Sequence, residues 1–140
     1  IDRYLGKWYE IARLDHPFER GLEQVSAHYS LQESGDIKVV NRGYSLEKKE
    51  WREAVGKASF ARESYEGYLK VSFFGPFYSS YVIFELDHEH YQYAFITGPN
   101  IDYLWLLSRT PTVEDDVLGL FMDTASQKGF NTDNLIFVDH

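Results

Sequence analysis

Val25-Ser26-Ala27-His28-Tyr29-Ser30-Leu31 alternates apolar and polar residues one by one. A period of two puts Val25, Ala27, Tyr29 and Leu31 on one face of an extended chain, the pattern of a strand with one buried side. Outward from this segment the same punctuation recurs. Turn signals at 15–21, Ser34-Gly35, 47–50, 64–67, Gly75-Pro76, 87–90 and Gly98-Pro99-Asn100 separate short runs rich in Val, Ile, Tyr and Phe. Such spacing predicts an antiparallel sandwich or barrel. Ile37 and Val39 share a face with Asn41 and Gly43. Ala54, Gly56, Ala58 and Phe60 alternate with Val55, Lys57, Ser59 and Ala61, and Leu69, Val71 and Phe73 alternate with Lys70, Ser72 and Phe74. A filled barrel wants bulk on its inward faces, so Gly43, Ala54, Gly56 and Ala58 predict space there.

After Arg109 the period changes. Thr112 is placed as a helix N-cap, with Glu114, Asp115 and Asp116 in the first turn, where the helix dipole favours anions. Val113, Val117, Leu120, Phe121 and Ala125 follow at helical spacing, and Lys128-Gly129 supplies a stop. Gly119 weakens this helix by about 1 kcal/mol relative to Ala and leaves room for close packing against a sheet. Leu135-Ile136-Phe137-Val138 reads as a last short strand. The chain is therefore expected to be all-β: an eight-stranded antiparallel up-and-down β-barrel, one C-terminal α-helix packed outside it and a short final strand.

The length, 140 residues, suits a single domain over 1–140 with its own core. Hydrophobic residues make up 44%, which argues against disorder, and no apolar run is long enough for a transmembrane helix. The net charge of −8, with no Lys/Arg cluster, argues against nucleic acid as a partner. The absence of cysteine removes disulfides, thiol nucleophiles and thiolate metal sites. Eleven Tyr, ten Phe and three Trp suit strand cores and equally suit a pocket for greasy ligands.

Gly6-Lys7-Trp8-Tyr9 near the start and Arg109 at the end of the last strand-like run form a second signal. Gly6-x-Trp8, the Asn100-Ile101-Asp102-Tyr103 segment and Arg109, in this order around a long first loop and a late helix, resemble the lipocalin family over essentially the whole chain. Ile101 stands where the family has threonine. Gly6 to Arg13, Phe18-Glu19-Arg20-Gly21-Leu22, Lys70 to Phe77, Asp102 to Trp105 and Leu107 to Pro111 are similar to the bacterial outer-membrane lipoprotein branch, relatives of apolipoprotein D. The resemblance implies that Gly6, Trp8 and Arg109 build the barrel floor. It further implies a fatty acid or lysophospholipid ligand, a role in membrane maintenance, and lipid anchoring at the bacterial outer membrane, on its periplasmic side. That anchor would be a cysteine upstream of Ile1. The protein is expected as a monomer or homodimer, with Phe77 and Tyr78 offering either a dimer contact, a membrane-facing rim or local turn packing.

The ligand wall is assigned to inward positions: Ala27, Tyr29, Val39, Asn41, Ala58, Phe60, Leu69, Val71, Phe73, Tyr81, Ile83, Tyr103 and Trp105. For each of them core packing is the competing reading. Arg13 and Arg20 are either head-group partners at the open end or solvated surface charges. Strict alternation from Trp8 puts Glu10 inside, where a carboxylate needs hydrogen-bond partners, whereas a bulge would turn it out. No cofactor is implied, and His88-Glu89-His90 reads as a solvated turn rather than a metal site. Enzyme signatures such as Gly-x-Ser-x-Gly or a P-loop are absent. A lipid hydrolase built on Glu10 or Glu85 lacks a visible base–nucleophile pair. The leading expectation is thus a non-enzymatic lipid carrier; a carrier of planar ligands (sterol, retinoid, porphyrin) is the alternative on the same fold.

Overall fold

The computed structural model describes residues 4–14, 22–60, 68–74, 77–87, 90–98 and 103–138. The strands are β1 (Gly6–Leu14), β2 (Leu22–Leu31), β3 (Ile37–Ser45), β4 (Glu50–Phe60), β5 (Tyr68–Phe74), β6 (Phe77–Leu86), β7 (Tyr93–Thr97) and β8 (Leu104–Ser108), followed by helix α1 (Asp115–Gln127) and β9 (Leu135–Phe137). Each of β1 to β8 is antiparallel to the next, and β8 returns to pair with β1, so eight strands close into a barrel. Along Gly6–Tyr9, where β1 pairs with β2, closure leaves no free sheet edge to be protected. Above Tyr9↔Ser26, the last β1–β2 pair, β9 takes over that edge of β1 through Ala12↔Phe137 and Leu14↔Leu135.

The period of two sorts the apolar residues into two cores. In β7, Ala94 and Ile96 join Trp8, Ala27, Tyr29, Val39 and Ala58 inside the barrel, while Phe95 between them packs outside with Phe121 and Ala125 of α1. In β8, Trp105 and Leu107 face the lumen cluster, and Leu104 and Leu106 face the helix. α1 exists because its stripe of Val117, Phe121 and Ala125 covers this outer apolar face.

Two bulges keep both faces apolar where strict alternation would fail. The β1–β8 register shifts between Glu10 and Ala12, and the β6–β7 register shifts between Ile83 and Glu85. Each extra residue adds an outward position, so Ile11 with Ala12 and Phe84 both serve the outer core.

The helix boundaries correct one expectation and meet another. The N-cap position belongs to Glu114, not Thr112. Thr112 stays in the preceding turn because its carbonyl accepts from Thr110 Oγ1 at 2.6 Å, while the Thr110 amide donates to Ser108 Oγ. Asp115 and Asp116 occupy the first turn as the dipole predicts. At the other end Gly129, at φ +92°, donates to Ser126 O, and Phe130 donates to Ala125 O, a Schellman closure whose Phe130 side chain enters the outer core. Gly119 does not mediate close packing: it is exposed, and nothing lies within 4 Å of where its Cβ would be.

Candidate functional site: a lumen closed at one end

Trp8 is fully buried at the start of β1, and the Arg109 guanidinium carbon sits 3.9 Å from the centre of its ring. Arg109 Nη2 donates to Leu5 O at 2.8 Å and Nη1 donates to Lys7 O at 2.9 Å. These carbonyls flank Gly6, whose φ of +100° is one that L side chains rarely adopt. A Cβ at Gly6 would also lie 3.4 Å from Arg109 Nη1. Burial pushes the Arg109 pKa down, and the nearby Tyr4 phenol opposes that shift.

Tyr4, absent from the sequence-derived set, belongs to this end of the barrel. Its carbonyl accepts from Trp8 Nε1 at 2.7 Å, and its ring lies 4.9 Å from the indole. Its hydroxyl bonds that of Tyr81 at 2.5 Å, and Tyr81 bonds Tyr29 at 2.8 Å. Three phenols from the N-terminal segment, β2 and β6 thus meet across the lumen. Tyr4 precedes the first periodic segment, so alternation does not reach it.

Burial, and then the neighbouring Tyr29 phenol, hold the Tyr4 and Tyr81 pKa values well above the usual phenol value. The native state therefore keeps protons that the unfolded chain loses near pH 10, and stability falls as pH rises beyond that point. An ultraviolet titration is expected to show exposed tyrosines ionising first and Tyr4 and Tyr81 only with unfolding. Ionisation of all eleven near the ordinary value, in the folded protein, would contradict the cluster.

Of the assigned wall positions, Ala27, Tyr29, Val39, Ala58 and Leu69 are buried in the lumen cluster, and Val71, Tyr81, Ile83 and Trp105 pack partly buried against it. Asn41 is half-buried opposite Ala27 in the β2–β3 register. Tyr103, also half-buried, has its ring 6.1 Å from that of Trp105. Phe60 is the register partner of Leu69, and Phe73 lies in β5; their side chains are outside those described. Arg20, Ile101, His88 and Glu89 also lie outside the described residues.

The bulge in β1 settles Glu10 and corrects Arg13. Glu10 pairs in register with Leu107 and Arg13 with Trp105, both members of the lumen cluster, so both side chains face inward although three residues apart. Arg13 is 2% exposed and Glu10 5%, and Arg13 Nη1 meets Glu10 Oε1 at 3.2 Å. Arg13 Nη2 also reaches Leu22 O, at 3.4 Å, across the parting strands β1 and β2. Arg13 is therefore neither a solvated charge nor an open rim cation. Glu85 pairs with Phe95 on the outer face and shares no pocket with Glu10.

On β4 the inward positions change steadily toward the β3–β4 turn: Ala58 is buried, Gly56 half-buried, Ala54 and Arg52 exposed. That turn lies at the end of the barrel opposite Trp8, since β1 starts at the floor and each following strand reverses direction. Along the inward face of β4, exposure thus rises from the packed base toward this turn, past a column of small side chains.

Residues 1–140 match the profile of the Lipocalin-like domain family. The chain is 63% identical over 138 residues to the outer membrane lipoprotein Blc of Vibrio cholerae, covering 99% of this chain and 81% of that one. It is 50% identical over 136 residues to outer membrane lipoprotein Blc of Escherichia coli K12, covering 97% and 76%. Among solved structures, lobster apocrustacyanin A1 superposes with a TM-score of 0.79 at 19% identity, over 99% of this chain and 78% of that one, a likeness of fold. A closed eight-stranded barrel, an arginine stacked on the first-strand tryptophan and a family match along its whole length agree: this chain belongs to the lipocalin family.

Proposed function

We propose that the chain binds a single-chain lipid, a fatty acid or lysophospholipid, in the barrel lumen and serves membrane maintenance as a lipid-anchored protein on the periplasmic side of the bacterial outer membrane. The location follows the relatives named outer membrane lipoprotein Blc. The observation that carries the ligand is the β4 column, where inward Ala54 and Gly56 stay accessible above a base of packed aromatics. An acyl chain laid along that column gains about 0.8 kcal/mol per buried methylene, so eight methylenes offset much of an association cost of about 4–15 kcal/mol. Ala27, Val39, Asn41, Ala58, Leu69, Val71, Ile83, Tyr103 and Trp105 form the wall in this reading, and Gly6, Trp8 and Arg109 the floor. Flat rings are less well served, because the Tyr29–Tyr81 hydroxyl bond ties opposite walls together low in the lumen. No chemistry is assigned: Glu10, the lumenal carboxylate of β1, is engaged by Arg13.

Native mass spectrometry of the purified protein, followed by extraction, is expected to recover a single-chain lipid at one per chain. Recovery of no lipid, with no displacement of a fluorescent fatty acid, would refute this reading.

A further inference from the structure

We infer that Arg52 is the residue that receives the anionic head of the ligand, a carboxylate or a phosphate, at the mouth of the lumen. This rests on the lipid reading above and adds the charge that the site selects. β3 and β4 pair without interruption from Ile37↔Ala58 to Ser45↔Glu50, so Arg52 shares a face with Ala54, Gly56 and Ala58. Its partner across the ladder is Gly43, against whose inward face the Leu22 and Val25 side chains pack, 3.1–3.3 Å from where a Cβ would be. Arg52 is exposed, and among the described residues it has no hydrogen-bond or ion-pair partner.

The charges on the lumen face are few. Among the described strand residues they are Glu10, Arg13, Arg52 and Glu50. Glu10 and Arg13 are buried against each other. Glu50 begins β4 beside the turn, about 7 Å further out than Arg52 at the usual strand rise. The first charge that a head group meets above the small-residue column is therefore Arg52, a cation on a chain of net charge −8. A guanidinium offers a forked pair of donors that matches either oxyanion. The other strand cations of this hairpin, Lys38, Arg42 and Lys57, lie on the outer face, Arg42 stacked 4.1 Å over Trp51.

The test compares three ligands of one acyl length: a fatty acid, the lysophosphatidic acid and the uncharged fatty alcohol. Dissociation constants are measured by calorimetry for the native chain, Arg52→Gln, Arg52→Lys and, as an outer-face control, Arg42→Gln. Arg52→Gln is expected to weaken at least one anion by roughly 5- to 30-fold, the range of a charge-assisted hydrogen bond discounted for exposure. The alcohol should stay within about twofold. Arg52→Lys should recover part of the loss, and Arg42→Gln should change nothing. Loss for the carboxylate alone or the phosphate alone identifies the head. An equal loss for the alcohol, or none for either anion, overturns the inference. If the native chain binds none of the three, the lipid reading itself fails, which is a different result.

Discussion

Glu10→Ala is expected to destabilise the protein by about 3–5 kcal/mol, the cost of breaking a buried pair by removing one partner. The Arg13 guanidinium is 2% exposed, so removing the Glu10 carboxylate takes a counter-charge from a cation buried inside the barrel wall. The reverse variant behaves differently. In Arg13→Leu the remaining carboxyl can take up a proton, so its deficit should shrink as pH falls. The sign follows from linkage: burial without Arg13 raises the folded pKa of Glu10 above its unfolded value near 4.3, so stability is lost as pH rises through that range and recovered below it. Glu10→Leu with Arg13→Leu removes both charges and should cost far less than Glu10→Ala alone. Urea unfolding with unchanged m-values measures all three. A cost below about 1 kcal/mol for Glu10→Ala would mean that the pair is solvated, as surface pairs are.

That pair marks the boundary of what the sequence reveals. A strand read at period two cannot place residues 10 and 13 on one face, so alternation alone left Glu10 undecided and Arg13 without a location. The missing information is the extra residue at Ile11, set by how β1 must bend between its partners β2, β8 and β9. β6 repeats the lesson, because Ile83 and Leu86 both pack with the lumen cluster while Phe84 between them leaves for the helix. Bulges answer to tertiary curvature and leave no local composition to read. Where registers run unbroken, as from Ser26 to Leu31 of β2 and along β3 and β4, the inward faces follow directly from alternation.

The polar details divide in the same way. Thr112 has the right chemistry for an N-cap, yet Thr110 Oγ1 donates to its carbonyl and the helix starts later. The competition is between two local hydrogen-bonding schemes that propensity does not rank. Tyr4 is invisible for another reason: a lone tyrosine before the first strand gains meaning only when β2 and β6 bring Tyr29 and Tyr81 within bonding distance. Arg52 was legible in principle, since it continues the face of Ala54, Gly56 and Ala58. A charged residue at a strand end reads as solvated until the closed barrel shows which side is the lumen.

Arg109→Ala is expected to cost about 2–4 kcal/mol of stability while leaving lipid affinity within about twofold. The guanidinium makes two charge-assisted bonds to backbone carbonyls and covers an indole, each contact contributing on the order of 0.5–2 kcal/mol and not independently. Its target is backbone: Leu5 O and Lys7 O on either side of Gly6, held where the chain adopts φ +100°. Without the fork, two carbonyls lose their donor, and of the hydrogen bonds described for the segment that seats Tyr4 beneath the lumen only those from Trp8 Nε1 to Tyr4 O and between the Tyr4 and Tyr81 hydroxyls remain. Lysine is a poor replacement, since a point charge cannot stack on Trp8 and span both carbonyls together. Arg109→Lys should therefore recover less than half of the loss. The wall that would hold an acyl chain lies above this level, from Val39 and Ala58 toward Ala54, and none of those side chains touches Arg109 in the contacts described. Thermal unfolding and lipid titration on the same samples separate the two effects. Affinity that fell at an unchanged melting temperature would make Arg109 a ligand contact rather than the clamp of the floor.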